Sequence, residues 1–477
     1  MFRFFAIAKQ NFLILAVCLT TFAGVANAQT CEAVPGQILL DLVNQADLPA
    51  IAAQYGLEST PIDQVGTPPT YRMKIRAENN QTPCQIAQTM ASDSRIRERE
   101  TNRKLKVVEK EGLPWTQGRS WAIGRSWAIG GSAKGYATQW FPGMIKLNQA
   151  HAITKGFMQN PPPPQAARPI VIAVLDTGID LNHPAFAGKL VPGKDFVDGD
   201  DNPSEVGVLR VNPTYGHGTH VAGIVALVAP EAKIMPIRVL DQNGESDIWK
   251  IKDALIWAAR NGADVVNLSF AYPPDVAPQS NTFLKDLLHG CAGVPLVPGE
   301  QQFPEFQGEI LIAVAGAGNG GQIGNGAQRT YPAAERGFQD DNLLSVGAST
   351  RLDQLASFST MAHVQSRSTD RWVRNVAPGE EIISALPGGR YGMWSGTSMS
   401  APIVSGITAL VLSVRPINIP ANRTTTDVVE EMEETGLEWE CHLASRNIMM
   451  ETTRVDAFCS VTNNQNCYPN DREICTE

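Results

Sequence analysis

No block of basic residues interrupts the 477-residue sequence: 39 Lys and Arg stand against 48 Asp and Glu, a formal net charge of -9. Nucleic acids and anionic membranes both reward concentrated positive charge, so neither is an expected partner. Charged residues make up only 18% of the chain and hydrophobic residues 43%, which suits a large buried core rather than a disordered chain. Beyond the first 28 residues no stretch reads as long and apolar enough to span a bilayer. The seven cysteines after residue 28 have no histidines at zinc-ligand spacing, which leaves disulfides as their expected use.

What is present begins with an export signal. Arg3 and Lys9 precede the apolar run from Phe12 to Val25, and Ala26-Asn27-Ala28 follows as a cleavage pattern, so residues 1–28 are expected to be removed on secretion to the medium or a periplasm. In that oxidising setting proximity suggests the pairs Cys31–Cys84, Cys441–Cys459 and Cys467–Cys475, with Cys291 left over, although four cysteines alone allow three connectivities.

Residues 29–110 read as a small α+β module: strand from Gln37 to Val43, helix from Asp47 to Tyr55, strand from Thr70 to Ile75 and helix from Thr82 to Met90. Its end, Ser94 to Glu111, is so charged that it reads as a helix tail or an exposed connection. Residues 111–133 form a linker in which Gly118-Arg-Ser-Trp-Ala-Ile123 is repeated as Gly124-Arg-Ser-Trp-Ala-Ile129, either a flexible joint or a segment whose Trp residues pack on a neighbour. From about Ser132 to Val414, most of a domain taken as residues 134–460, apolar runs alternate with helical segments. The runs Ile170 to Leu175, Lys233 to Val239, Val265 to Phe270, Ile310 to Ala315 and Leu343 to Val346 fit a doubly wound, mainly parallel α/β sheet with helices on both faces. Helices are expected from His217 to Leu227, Asp247 to Asn261 and Ser398 to Val414, and residues 461–477 form a cysteine-containing extension.

Three segments carry reactive residues at element ends. Val171-Ile-Ala-Val-Leu-Asp176-Thr-Gly178 is a buried strand delivering a carboxylate, which taken alone is equally a helix cap. Gly216-His217-Gly-Thr-His220-Val-Ala-Gly223 opens a helix among small residues. Its two histidines suggest a metal, but no acidic or thiol partner follows at helical spacing, and the apolar surroundings of His220 suit a core residue. Gly396-Thr-Ser398-Met-Ser-Ala-Pro402 places a serine in the first turn of an apolar helix, where the helix dipole favours an oxyanion. A serine hydroxyl needs a base and an orienting group to act as a nucleophile, and His217 and Asp176 supply those roles.

In order and composition these segments resemble the subtilisin family of serine peptidases, whose chain order is Asp, His, Ser. Pro236-Ile-Arg-Val-Leu240, Gly262-Ala-Asp-Val-Val-Asn-Leu-Ser269, Tyr331-Pro-Ala333, Ser357-Phe-Ser359 and Ala377-Pro-Gly379 extend the likeness. The resemblance implies a secreted serine endopeptidase with Asp176, His217 and Ser398 as triad, acting through an acyl-enzyme. It implies Asn319, in Ala315-Gly-Ala-Gly-Asn319, as oxyanion donor rather than a turn asparagine. It also implies an extended substrate along Asn267, Leu268, Ser269, Phe270 and Ala271, with Ala315, Gly316, Ala317 and Gly318 as a pocket wall. Residues 29–110 then correspond to a ferredoxin-like propeptide, inhibitor and folding template, removed by self-cleavage between about residues 111 and 134. The partners are protein or peptide substrates and the chain's own propeptide, and the mature form is a monomer.

The chemistry requires no cofactor. Asp195, Asp198, Asp200 and Asp201 resemble a calcium loop of some relatives, or else form an exposed acidic turn. The 271–309 segment reads as a surface insertion near the cleft. Dedicated processing of one precursor, or peptide binding without cleavage, are the competing functions; an esterase is disfavoured because Ser398 is not in a Gly-x-Ser-x-Gly turn.

Overall fold

The structure, a computed structural model, describes residues 31–107, 127–271, 311–321, 329–334, 342–361, 372–417, 424–443, 448–468 and 473–475, apart from residues 32, 67, 130, 131, 164, 165 and 210. The expected export signal, the first copy of the repeat, Cys291 and nearly all of the expected insertion lie outside these residues.

A sheet of ten described strands forms the main domain. Its parallel part runs, from one side, through Asn375–Pro378, Leu343–Ser349, Ile312–Gly316, Val265–Leu268, Val171–Asp176, Lys233–Arg238 and Lys194–Asp195. Side chains alternate between faces along a strand, and here both faces are covered. Ala173 and Leu175 join the apolar cluster under the helix Ile248–Arg260, while Ile172 and Val174 join the one under the helices His217–Val228 and Thr397–Val414. The near-continuous apolar run of this strand follows from that double burial.

Thr397–Val414 corrects one sequence expectation: by length and composition it is apolar enough to cross a membrane, yet 94% of it is buried inside the protein. It lies against His217–Val228 at Gly406, where an added Cβ would stand 2.6 Å from Val228 Cβ. Absence of a side chain at this one point lets two helices that begin at His217 and Thr397 approach closely enough to share a site.

The N-terminal module has the expected strand-helix-strand-helix order, as Ala33–Leu42, Leu48–Gln54, Thr70–Lys74 and Pro83–Thr89. The charged segment after it is neither helix tail nor exposed connection but the twelve-residue strand Ile96–Val107, paired antiparallel with Ala33–Leu42. Its charges find partners within the module, and an uncharged residue of the strand crosses the module's boundary. Arg97 Nη1 reaches Asp41 at 3.2 Å, Arg103 pairs with Glu100, and Asn102 bonds Gln37 on one side and the Trp249 amide on the other, at 2.9 and 3.1 Å. A charge run reads as solvated only when nothing lies opposite it.

In the second copy of the repeat, Trp127–Ile129 forms a strand on Arg390–Trp394, so this part of the expected linker is docked. Cys31–Cys84 forms as expected. At the other end the bond is Cys459–Cys467, not Cys441–Cys459 or Cys467–Cys475. The reversal that makes it occurs where Asn463, in the left-handed region at φ 48°, ends the helix Ala457–Thr462 and Asn464 N bonds back to the Cys459 carbonyl at 3.0 Å. Cys441 instead lies in strand register with Cys475.

Gly406→Ala should therefore force the two helices apart and cost roughly 1–3 kcal/mol, as overpacking of a tight core does. Urea unfolding of the purified chain measures this, and a loss below about 0.5 kcal/mol would show that the crossing is not close-packed.

Candidate active site

Asp176 ends its strand fully buried, and its Oδ1 accepts hydrogen bonds from Thr177 N and from His217 Nδ1, each at 2.7 Å. His217 is the first residue of its helix, entered through Gly216 at φ 85°. Gly218 is required by contact as well: a Cβ there would stand 2.2 Å from the Gly178 carbonyl oxygen and 3.0 Å from Asp176 Cβ. With the Nδ1 proton on the carboxylate, Nε2 is the basic nitrogen of the imidazole. Trp394, buried beside it with ring centroids 5.2 Å apart, keeps the pair dry.

His220 stacks on the other side of that indole at 5.0 Å. Burial pushes its pKa down to about 3, the nearby His217 adding to the shift, and its Nε2 bonds the Gly392 carbonyl at 3.2 Å. It is a neutral core histidine, and it does not share a ligand set with His217.

Ser398 is the second residue of the helix Thr397–Val414, where a backbone N–H has no intrahelical acceptor. Its Oγ donates to the Ser269 carbonyl at 3.2 Å. Asn319 is tied to the same turn: its Oδ1 accepts from Thr397 N at 2.9 Å and Thr397 Oγ1 at 3.1 Å. With Oδ1 so anchored, the amide's donor is Nδ2. At 8% exposure Asn319 is the most open of the four residues, while Asp176, His217 and Ser398 are sealed.

The expected binding edge divides in two. Asn267 and Leu268 lie inside the parallel sheet, paired on both sides, with Asn267 held by Ser269 and Ser405 at 2.8 and 3.1 Å; they have no edge to offer a substrate. Ser269 Oγ bonds the Ser398 carbonyl at 3.1 Å, and Phe270–Ala271 is the edge proper. Of the expected wall, Ala315 and Gly316 end a strand whose Gly316 packs on Thr397. Ala317 and Gly318 continue it, with Gly318 N bonded to Thr397 Oγ1 at 3.1 Å.

Sequence reasoning missed the opposite edge, Glu245–Asp247. The signal was the turn before it: Asn243-Gly244, with Asp241 Oδ1 accepting from Asn243 N and Glu245 N at 2.8 and 2.9 Å. Between the two edges runs Lys104–Val107, paired antiparallel with Glu245–Asp247 on one side and Phe270–Ala271 on the other.

The four aspartates expected to bind calcium are not assembled as ligands. Arg238, 1% exposed, extends its guanidinium between Asp195, at 2.6 Å, and Asp198, while Asp200 Oδ1 accepts from Asn202 N at 2.8 Å. The cation in this loop is an arginine, and no cluster of metal-ligating side chains occurs among the described residues. Arg238→Ala would leave Asp195 buried without a counter-charge and should cost about 3–5 kcal/mol in urea unfolding at fixed calcium. A loss under about 1 kcal/mol would mean that the pair does not hold the loop.

Comparison with known proteins agrees with this geometry. The model described as the subtilase family matches residues 167–460. A thermophilic serine proteinase of Bacillus sp. (strain AK1) is 34% identical over 276 residues, covering 56% of this chain and 57% of that relative's length. Thermitase of Thermoactinomyces vulgaris is 31% identical over 311 residues, 63% of this chain and 91% of thermitase. Fervidolysin from Fervidobacterium pennivorans, described as a keratinolytic enzyme related to subtilisin, superposes with a TM-score of 0.61 at 21% identity, over 91% of this chain and 62% of its own, a likeness of fold. The chain belongs to the subtilase family of serine peptidases.

Proposed function

We propose that this protein is a secreted, self-processing serine endopeptidase in which His217 takes the proton of Ser398 as its oxygen attacks a peptide carbonyl. Rotation about χ1 carries Ser398 Oγ from the Ser269 carbonyl toward the imidazole. Asp176 holds the Nδ1 proton and stabilises the imidazolium. The oxyanion is bound by Asn319 Nδ2 and the Ser398 N–H, His217 then protonates the leaving amine, and water hydrolyses the acyl-enzyme by the same route. No step calls for a cofactor.

The observation that carries the reading is the strand Lys104–Val107 laid between Glu245–Asp247 and Phe270–Ala271. A main-chain ladder on both sides recognises polypeptide backbone whatever its sequence, and a groove lined by two edges accepts the middle of a chain as well as its end. We read residues 29–110 as the propeptide, with its last strand occupying the substrate's place. Leu105, 2% exposed and within the same apolar cluster as Leu240, Trp249, Leu268 and Phe270, marks one subsite as apolar. Its release gives a monomeric enzyme acting on protein or peptide substrates.

Wild type and Ser398→Ala, expressed side by side, test the reading. Wild type should shorten within about residues 111–134 and digest casein; Ser398→Ala should stay full length and do neither, and equal shortening of both would assign maturation to another protease. Asn319→Ala should lower kcat by about 100- to 1000-fold, the loss found in subtilisin for an oxyanion donor, with KM little changed. A loss below about threefold would remove Asn319 from the oxyanion site. Peptides with Leu in the position of Leu105 should exceed those with Asp there by about 10- to 200-fold in kcat/KM, and equal rates would rule out an apolar subsite.

A further inference from the structure

Glu205 lies between the strand Lys194–Asp195 and the helix His217–Val228, and the mechanism above does not use it. Its backbone is fastened to the exit of the strand that bears Asp176. Glu205 N donates to the Ile179 carbonyl at 3.1 Å, Ser204 bridges Ile179, and a Cβ on Gly178 would stand 2.9 Å from Glu205 N. The residue is partly exposed, but the carboxyl turns inward and its Oε1 is buried.

Two hydroxyls converge on the other oxygen. Thr177 Oγ1 donates to Glu205 Oε2 at 3.1 Å and Thr219 Oγ1 at 3.4 Å. Each hydroxyl oxygen already accepts a backbone N–H, from Gly218 and Asp180 respectively, both at 3.0 Å, so the single proton of each is committed to Glu205. Thr177 follows Asp176 in sequence and Thr219 is two residues beyond His217. The Gly216 N–H also faces the Glu205 carboxyl, while Asp176 Oδ2 has no hydrogen-bond partner among the described residues. Two buried carboxylates close together offer acceptors only and repel each other; a proton on one of them supplies a donor and removes the repulsion.

We propose that Glu205 is a further positioning residue of the triad: a carboxyl behind Asp176, held by Thr177 and Thr219, whose charge state sets the strength of His217 as a base. The proposal rests on the reading of Asp176 and His217 as catalytic. The titratable groups facing Glu205 are Asp176 from its strand, His217 from its helix and Tyr215 from its own segment, with Asp180 and Arg390 around Tyr215. Burial first, then the charge of Asp176, push the Glu205 pKa up to about 8, against the Gly216 amide, the Thr177 hydroxyl and His217. Below that pH the site holds one negative charge, on Asp176. Above it Glu205 adds a second, which favours the imidazolium formed as Ser398 attacks.

The sign for stability follows from the same shift. A carboxyl with a raised folded-state pKa contributes stability that is present below its unfolded value and is lost as pH rises toward the folded one, here from the usual 4.5 to about 8. Glu205→Gln, which stays neutral, removes that loss.

Two measurements on the full chain test this. First, the kcat/KM profile of matured wild type should rise by about tenfold through an ionisation near pH 8, the effect of one pKa unit on the imidazole, and Glu205→Gln should lack this step. Second, in the uncleaved Ser398→Ala form, the urea midpoint of Glu205→Gln over its parent should climb between pH 4.5 and 8 and level off above. A step retained in Glu205→Gln, or a midpoint gap that does not vary with pH, overturns the proposal while leaving the peptidase reading intact. A wild type that cuts nothing sinks that reading and this proposal with it. Should Glu205→Gln not accumulate, 13C-carboxyl NMR of glutamate-labelled Ser398→Ala decides: one glutamate titrating near pH 8 supports the proposal, and none above the ordinary carboxylate range overturns it.

Discussion

A single buried hydrogen bond, 2.7 Å from His217 Nδ1 to Asp176 Oδ1, sets the conditions for the rest of the site. A carboxylate without water is tolerable only when paired, and its partner must stay in one tautomer to serve as a base. The parallel sheet delivers Asp176 at a strand end, Gly218 lets the helix of His217 close over it, and Trp394 shuts out solvent. Gly406 then allows the second helix to bring Ser398 to the same place. These contacts are steric and unspectacular one by one, yet each fixes a distance on which the proposed proton transfer depends.

The second constraint is backbone pairing. Two short edges, Glu245–Asp247 and Phe270–Ala271, have unsatisfied N–H and C=O groups unless a strand lies between them. The chain's own Lys104–Val107 fills that space and belongs to a charged strand whose ions Arg97 and Arg103 are paired within the module. In the proposed reading, the geometry that protects the edges in the full-length chain receives substrate once the module has been released. Filling the groove with a covalently attached strand costs no loss of translational freedom, so a ladder of a few bonds suffices where a free peptide would need more.

Much of this was legible in the sequence because strand and helix periods are strict. The run Val171 to Leu175, the small residues around His217 and the apolar helix after Ser398 each have one good structural solution, and the order of three motifs identified the site. Ile96–Val107 was misread because its apolar residues are few and its charges find partners far away in sequence, such as Asp41 for Arg97. Asn267 and Leu268 were assigned to the cleft because the motif around Ser269 was taken whole, whereas the sheet's parallel pairing uses up their edges. The aspartates near 195 looked like a cation site and were one, but Arg238, over forty residues away, is the cation. Glu205 left no signal in a loop of mixed composition; only Thr177 and Thr219, converging from two elements, reveal it. Cys459 and Cys467 pair because of a left-handed turn at Asn463 that spacing does not encode.

The central claim is that Ser398, made nucleophilic by His217 and Asp176, lies in a cleft occupied by the chain's own Lys104–Val107. Labelling with a peptidyl diaryl phosphonate, which phosphonylates activated serines with loss of an aryloxide, followed by peptide mapping, tests it directly. The account predicts one labelled residue, Ser398, modified slowly in the full-length chain and rapidly once the N-terminal module has been removed by maturation, with no label in His217→Ala. Label on another serine, or equal labelling of Ser398 with the module in place and removed, would contradict it.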